Sequence, residues 1–412
     1  MPFTVHLLAL AVFAQGSSEF MLSGLVSDIA HDLGVSLPAA GALTSAFAVG
    51  MIIGAPLMAI LSLRWPRRRA LLAFLVTFLL VHVLGAVTTS FAMLLATRFV
   101  AALANAGFLA VAVATASALA APNAKGRATS VLLGGVTVAC IAGVPAGAWL
   151  GQLWGWRSAF WAVALVSVPA VLAILRSVPD DRDPRSSSAA TGVRAELRSL
   201  RNPRLLVTLL LGALVNGATF CAYTYLAPLI TNVTGLAAAW VPGVLALFGL
   251  GSFLGVTVGG RFADARPLPL LVTGGPALLI GWVAFALTAS VPAATAALVL
   301  AQGTLAFAVG STLISQVLYV AAEAPTLAGG FATAAFNVGG ALGPWLGGLS
   351  LTAGLGYRAP LWVSALLVAA ALTLAGTAQA LSGAAQAFRR RPTAPARAVA
   401  EPSARPTDRL TD

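Results

Sequence analysis

Gly155-Trp156-Arg157-Ser158-Ala159-Phe160-Trp161 and Gly356-Tyr357-Arg358-Ala359-Pro360-Leu361-Trp362 stand 201 residues apart and read alike. The same offset of 201 sets Gly16 against Gly217, Gly34 against Gly235 and Leu63 against Asp264. One constant spacing that links the first, second, fifth and sixth apolar runs of each half to their counterparts indicates an internal repeat in one orientation. Parallel repeats related by an axis along the membrane normal are a transporter architecture, with the binding site at their interface near midplane. Between the copies, Asp180-Asp181-Arg182-Asp183-Pro184-Arg185-Ser186-Ser187-Ser188 breaks the apolar pattern and reads as a linker. The expected organisation is a bundle over 1–176, a linker over 177–204, a second bundle over 205–381 and a disordered tail over 382–412.

The runs themselves settle the fold class. Hydrophobic residues make up 59% of the chain and charged residues 9%, against about 25% charged in soluble domains. A span needs about 20 apolar residues, and the runs are continuously apolar rather than alternating as in a transmembrane barrel. The prediction is an all-α integral membrane protein with twelve transmembrane helices, near 4–28, 38–62, 70–89, 91–120, 129–152, 158–176, 205–232, 239–260, 268–288, 292–320, 329–353 and 359–381. The N-terminal run has no basic flank or small-residue cleavage site, so it is expected to be kept as the first span.

An even number of spans puts both termini on one side. Most of the 24 basic residues cluster around Arg64–Arg69, Lys125–Arg127, Arg176–Arg204, Arg261–Arg266 and Arg389–Arg409, which all fall on that side. Cytoplasmic loops carry such an excess. The net charge of +12 therefore reports orientation, with both termini cytoplasmic, and calls for no nucleic acid. The loop 321–328, with only Glu323, is the weak point of this topology. Cys140 and Cys221 lie in apolar runs without disulfide or metal spacing. His6, His31 and His82 form no ligand motif and are expected at helix ends or the lipid interface. No nucleophile–base pair, metal site or phosphate loop points to an enzyme, and no cofactor is expected.

Gln15-Gly16-Ser17-Ser18-Glu19-Phe20-Met21 puts a carboxylate inside the first apolar run. A charge at midspan costs about 2.5–3.5 kcal/mol, and such residues mark ion or substrate pathways. Glu19 either binds and releases protons in a cavity, or sits in a structural pair or within reach of water. The second charge within a helix is Arg98. At 1.5 Å per residue, Glu19 lies about 22 Å along an outgoing helix and Arg98 about 10 Å down an incoming one, so both reach similar depth. Pairing, direct or through water, would offset their desolvation. A carboxylate drawn towards ionisation by a guanidinium and away from it by burial can load or unload a proton.

Gly143, Gly147 and Gly151, with Pro145 between them, form a smooth stripe on the fifth helix. Gly251, Gly255 and Gly259 do so on the eighth, and Gly339, Gly343 and Gly347 on the eleventh. Such stripes let backbones approach closely, and Pro145 favours a kink. They are expected to be sliding contacts between the halves. Arg261 and Asp264, after the eighth helix, are expected to latch the inner face. Asn105, Asn216, Thr219, Phe220, Tyr223, Tyr225 and Gln302 are the polar and aromatic candidates for substrate contact, in an apolar pocket suited to an amphipathic, largely neutral drug.

Gly16–Phe20, Arg98, the Gly143/Pro145/Gly147 run and Gly155–Trp161 together resemble the twelve-helix drug:proton antiporter branch of the major facilitator superfamily. Ala14–Asp28 and Ile53–Leu72 are similar to the actinomycete chloramphenicol-resistance exporters. The resemblance covers nearly all of residues 1–380 and implies drug efflux, chloramphenicol first, coupled to proton entry. It implies a role in proton coupling for Arg98 and the antiporter motif for Gly143, Pro145 and Gly147. The family's usual Asp and Gly after the second helix are Leu63 and Pro66 here, so the first-half latch is built differently. The expected partners are a small-molecule drug, protons and the bilayer, with the chain a monomer. An exporter of a sugar, nucleoside or self-made metabolite is the alternative, and a membrane ligand sensor the next.

Overall fold

Twelve helical rods run through the computed structural model, which describes residues 3–62, 65–119, 125–178, 202–265, 267–321 and 328–389. The first rod is Phe3–Phe20, continued by a tight turn at Met21–Gly24 and a short helix, Val26–Asp32. The next three are Leu37–Ser62, Arg67–Val87 and Phe91–Leu119. The fifth is Lys125–Val138, a π turn at Ala139–Gly143, and Val144–Trp154. The sixth is Arg157–Ser177. The seventh runs as Pro203–Thr224, Leu226–Leu229 and a π turn at Ile230–Thr234. Val241–Ala265, Pro267–Thr288, Pro292–Val320, Ala328–Thr352 and Ala359–Arg389 complete the set. Most of the linker 177–204 and the tail from 390 lie outside the described residues, as do residues 63, 64 and 322–327.

Among the described residues, eleven helices are long and apolar enough to cross a membrane. Ala328–Thr352 is not one of them, because glycine replaces larger apolar residues along it. Large apolar side chains point outward around the bundle, including Leu80, Leu165, Ile280 and Leu366, each more than half exposed. That outer surface suits hydrocarbon, where backbone groups must be satisfied within each helix.

The 201-residue offset recurs in the backbone. Gly34 and Gly235 take φ values of 62° and 73°, and Gly155 and Gly356 take 80° and 78°. These left-handed positions favour glycine, which has no Cβ to clash. The first and seventh rods both break before their ends, after Phe20 and after Thr224, although the breaks do not coincide at that offset. The arginines after the second pair of glycines do the same work. Arg157 donates to the Thr88 carbonyl and Arg358 to the Leu287 carbonyl, each at the end of the third rod of its own half. In the first half Arg157 also pairs with Asp32, and the Trp156 indole N–H donates to the same Asp32 oxygen at 3.0 Å. These two donors hold the Asp32 carboxyl below the usual carboxylate range.

The glycine stripes zip rods within each half, which corrects the expectation that they slide between halves. A Cβ on Gly143, Gly147 or Gly151 would meet Ser17, Met21 or Leu25 of the first rod. Gly251, Gly255 and Gly259 lie against Leu300, Thr304 and Ala308 of the tenth. Gly339, Gly343 and Gly347 lie against Ala213, Gly217 and Cys221 of the seventh. Pro145 starts the helix after the π turn, where its missing N–H is absorbed by the change of hydrogen-bond register.

Different residues join the halves. Gly249 of the eighth rod packs on the backbone of Cys140 and Ile141 in the π turn, and Gly24 faces Leu245. Ser45 donates to the Ala341 carbonyl at 2.7 Å, and Gln152 to the Ala238 carbonyl. Tyr225 fills the space between Gly41, Gly347 and Gly348 and donates to the Pro344 carbonyl at 2.9 Å. These contacts lie toward the end of the bundle away from the chain termini. The largest apolar cluster accordingly gathers Val144 and Ala148 with residues of the second half.

Candidate functional site

The break after Phe20 prepares the site. A helix end leaves its last carbonyls without intrahelical partners, and the Ser18 carbonyl is one that another group claims. Arg98, on the fourth rod, donates from one terminal nitrogen to the Ser18 carbonyl at 2.8 Å and from the other to the Ser18 hydroxyl at 2.7 Å. Its guanidinium carbon lies 4.6 Å from the centre of the Phe47 ring. Arg98 is only 1% exposed; these contacts take the place of water at its two terminal nitrogens, while Nε has no partner among the described residues.

Glu19 follows Ser18 directly, in the last turn of the helix, and is half-buried. Among the described residues, Arg98 and Glu19 interact electrostatically but form no ion pair. The guanidinium that the sequence matched to Glu19 therefore binds the neighbouring residue instead.

His82 joins this arrangement from the third rod. It is 1% exposed, in the interior rather than at a helix end or the lipid interface. Its Nδ1 lies 2.7 Å from the Phe78 carbonyl and its Nε2 lies 2.6 Å from the Ser18 hydroxyl. A carbonyl only accepts, so Nδ1 carries the proton, and neutral Nε2 accepts from Ser18. The result is a directed chain: Arg98 to Ser18, Ser18 to His82, His82 to Phe78. Nothing in the sequence ties His82 to Ser18, which lies 64 positions away.

A narrow cavity lies beside this cluster and takes walls from both halves. Phe20 and Cys140 come from the first half; Thr219, Phe220, Tyr223, Phe248 and Phe307 come from the second. Its free space is about 10 Å³, close to the least that admits one water. A space of that size admits no drug-sized molecule. The rings form a ladder across the interface: Phe20 to Phe220 at 5.8 Å, Phe220 to Tyr223 at 6.4 Å, Tyr223 to Phe248 at 4.4 Å and Phe248 to Phe307 at 6.1 Å between centroids.

Of the seven substrate candidates, Thr219, Phe220 and Tyr223 line this cavity. The other four hold rods together. Asn105 contacts the Met51 sulfur at 3.6 Å. Asn216 donates to the Phe336 carbonyl at 2.6 Å. Gln302 donates to the Leu278 carbonyl at 3.1 Å. Tyr225 holds Pro344 as described above. Phe20, Cys140, Phe248 and Phe307 were not singled out by sequence, since an aromatic ring in an apolar run signals packing and cavity alike. Arg261 and Asp264 belong to the eighth rod, but their side chains lie outside the described residues. Among those residues, no group of His, Cys, Asp and Glu could hold a metal ion.

The family model of the Major Facilitator Superfamily matches residues 8–331. The chain belongs to the major facilitator superfamily. A chloramphenicol resistance protein of Streptomyces lividans is 55% identical to this transporter over 91% of the chain and 96% of its own length. The inner membrane transport protein YdhP of Escherichia coli (strain K12) is 35% identical over 89% of the chain and 93% of its own. A D-xylose-proton symporter of known structure superposes with a TM-score of 0.73 at 17% identity, covering 90% of this chain and 97% of that one. An inward-facing, unoccupied bacterial homolog of the human lysosomal transporter Spinster gives 0.71 at 16% identity, covering 90% and 95%. At those identities the structures show a shared fold. The transporter is a multi-pass membrane protein built on the major facilitator fold.

Proposed function

We propose that this transporter exports a small amphipathic drug, with chloramphenicol the first substrate, in exchange for protons by alternating access. The reading places the protein in the bacterial inner membrane with both termini in the cytoplasm, working as a monomer. Glu19 carries the proton and Arg98 modulates its charge. A proton taken up at Glu19 from outside favours drug release outward, and its discharge to the cytoplasm resets the cycle. The membrane potential adds about 2.3 kcal/mol per 100 mV for each charge moved.

One observation carries this reading: the acid is next in the chain to Phe20, a wall of the cavity that both halves share. Movement of the halves therefore changes the surroundings of drug and acid together. The relative named for chloramphenicol resistance supports the choice of drug. Aromatic walls suit a planar aryl group, and Thr219, whose hydroxyl donates to the Val215 carbonyl, keeps lone pairs with which to accept. The test is uptake of labelled chloramphenicol into everted vesicles energised with a proton gradient. The wild type should accumulate the drug and lose it on adding an uncoupler. Glu19→Gln should insert normally, still bind the drug and build no gradient. Full accumulation by that variant would refute the proton role, and no uptake by the wild type would refute the substrate.

A further inference from the structure

Ser17 and Ser18 are adjacent, yet their hydroxyls behave differently. Ser17 donates back to the Phe13 carbonyl four residues earlier, at 2.8 Å. That is the default for a serine within a helix. Ser18 turns outward instead, donates to His82 and presents its lone pairs to Arg98. We propose that His82 is a positioning residue for the proton step: through Ser18 it fastens the Arg98 guanidinium to the backbone of the first rod and keeps it from pairing with Glu19 in this conformation. The inference rests on the reading of Glu19 as the proton carrier.

Counting donors and acceptors leads there. A hydroxyl has one hydrogen and two lone pairs. Ser18 can accept from Arg98 in this geometry because its own hydrogen has somewhere to go, and His82 Nε2 is that place. The acceptor is available because Nδ1 spends its hydrogen on Phe78. The Phe78 and Phe160 rings pack on the imidazole, at 4.1 and 5.8 Å between centroids, and fix its plane. Without His82, Ser18 would fall back on its own helix as Ser17 does, and Arg98 would lose one of two anchors. The nearest carboxylate belongs to the next residue, Glu19. In a low-dielectric interior two opposite charges so placed attract strongly.

The ionisable groups around Glu19 bound the alternatives. Arg98 acts on it from the fourth rod and Cys140 lies close on the fifth. His82 stands on the third, bound to Ser18, and Tyr223 approaches from the seventh across the cavity. The second rod, Leu37–Ser62, has no ionisable side chain, and the sixth carries its arginines only near its ends. Arg98 is thus the one cation able to pair with the acid here, and its anchoring decides how tightly Glu19 holds a proton.

The experiment is chloramphenicol-triggered proton release from purified protein in detergent, read with a pH dye over a series of pH values. His82→Leu should move the midpoint about one unit towards acid, since an opposite charge brought within about 4–6 Å shifts a carboxyl by 1–3 units. His82→Gln, whose amide again offers both donor and acceptor, should restore the wild-type midpoint. Ser18→Ala should shift it in the same direction as His82→Leu and by a similar amount, because either change removes the hydroxyl anchor and leaves Arg98 on the Ser18 carbonyl. A folded His82→Leu protein with the wild-type midpoint would overturn the proposal. So would a His82→Gln protein that shifts as far as His82→Leu, which would make the imidazole itself the proton group. If His82→Leu fails to fold, Ser18→Ala decides alone, and an unmoved midpoint rejects the idea. Glu19→Gln separates the two layers: release that persists in it refutes the carrier, whereas silence there with an unmoved His82→Leu refutes only the positioning role.

Discussion

Gln15 is 1% exposed, and among the described residues neither its amide oxygen nor its nitrogen has a hydrogen-bond partner. An unsatisfied buried polar group costs about 1–3 kcal/mol. It stands four residues before Glu19 on the same helix, so the two side chains share a face. A proton passing between Glu19 and the termini would pass this amide. Gln15→Leu is therefore expected to hold or raise the thermal midpoint, by the equivalent of about 1 kcal/mol, and to slow proton-driven drug uptake severalfold. Melting curves and vesicle uptake check both halves, and undiminished uptake would leave the amide without a role in transport. Glu19 and Arg98 stood out in the sequence as charges in apolar runs, but the pairing read between them gives way to Arg98 on Ser18. Gln15 and His82 did not stand out, because an uncharged polar residue in a helix usually finds a carbonyl, as Asn216, Gln302 and Tyr225 do. Only the fold shows which polar residue lacks one and which has reached another rod.

At the scale of elements, apolar periodicity and turn residues gave most of the helix ends. The helix read at 292–320 is Pro292–Val320, and that read at 91–120 is Phe91–Leu119. The break after Phe20 left no such signal, because Met21-Leu22-Ser23 would extend a helix without penalty; tertiary contacts decide it. The stripes show a second limit. A four-residue glycine period shows that a face is smooth, not which rod it meets. Gly343 tests the assignment made by the fold. A Cβ there would collide with the Gly217 carbonyl oxygen and come within 3.0 Å of the Cys221 nitrogen, both backbone atoms that cannot step aside. Gly343→Ala should lower stability by about 1–3 kcal/mol, the range for overpacking, seen as a lower melting temperature and a lower yield. Gly340→Ala, whose Cβ would rest 3.6 Å from that of Ala48, should melt like the wild type. Equal melting of the two variants would mean that the seventh and eleventh rods are not packed backbone to backbone.

On the proposed alternating-access reading the halves must part, so the contacts between them must hold one state without locking it. Those contacts include single hydrogen bonds to carbonyls, a tyrosine among glycines, the Phe20–Phe220 ring pair, and the Gly249 backbone on the π turn of the fifth rod. A π turn is a natural place for such a contact, since its strained register presents carbonyls away from the helix axis. Here it sets the Cys140 carbonyl against Gly249, where any side chain would intrude. The same turn puts the Cys140 thiol on the wall of the cavity, while Cys221 is fully buried with its sulfur on the Pro360 carbonyl. The chain thus carries its own reporter of the gap between the halves. Gly249→Ala should push the eighth rod off the turn and bias the population towards states in which the cavity is open. A small methanethiosulfonate reagent should then label Cys140 several times faster than in the wild type, with Cys221→Ser as background to confirm the site. Uptake of drug should fall, because a transporter held towards one state cycles slowly. Wild-type labelling of a well-folded Gly249→Ala protein would show that the halves do not meet through this contact.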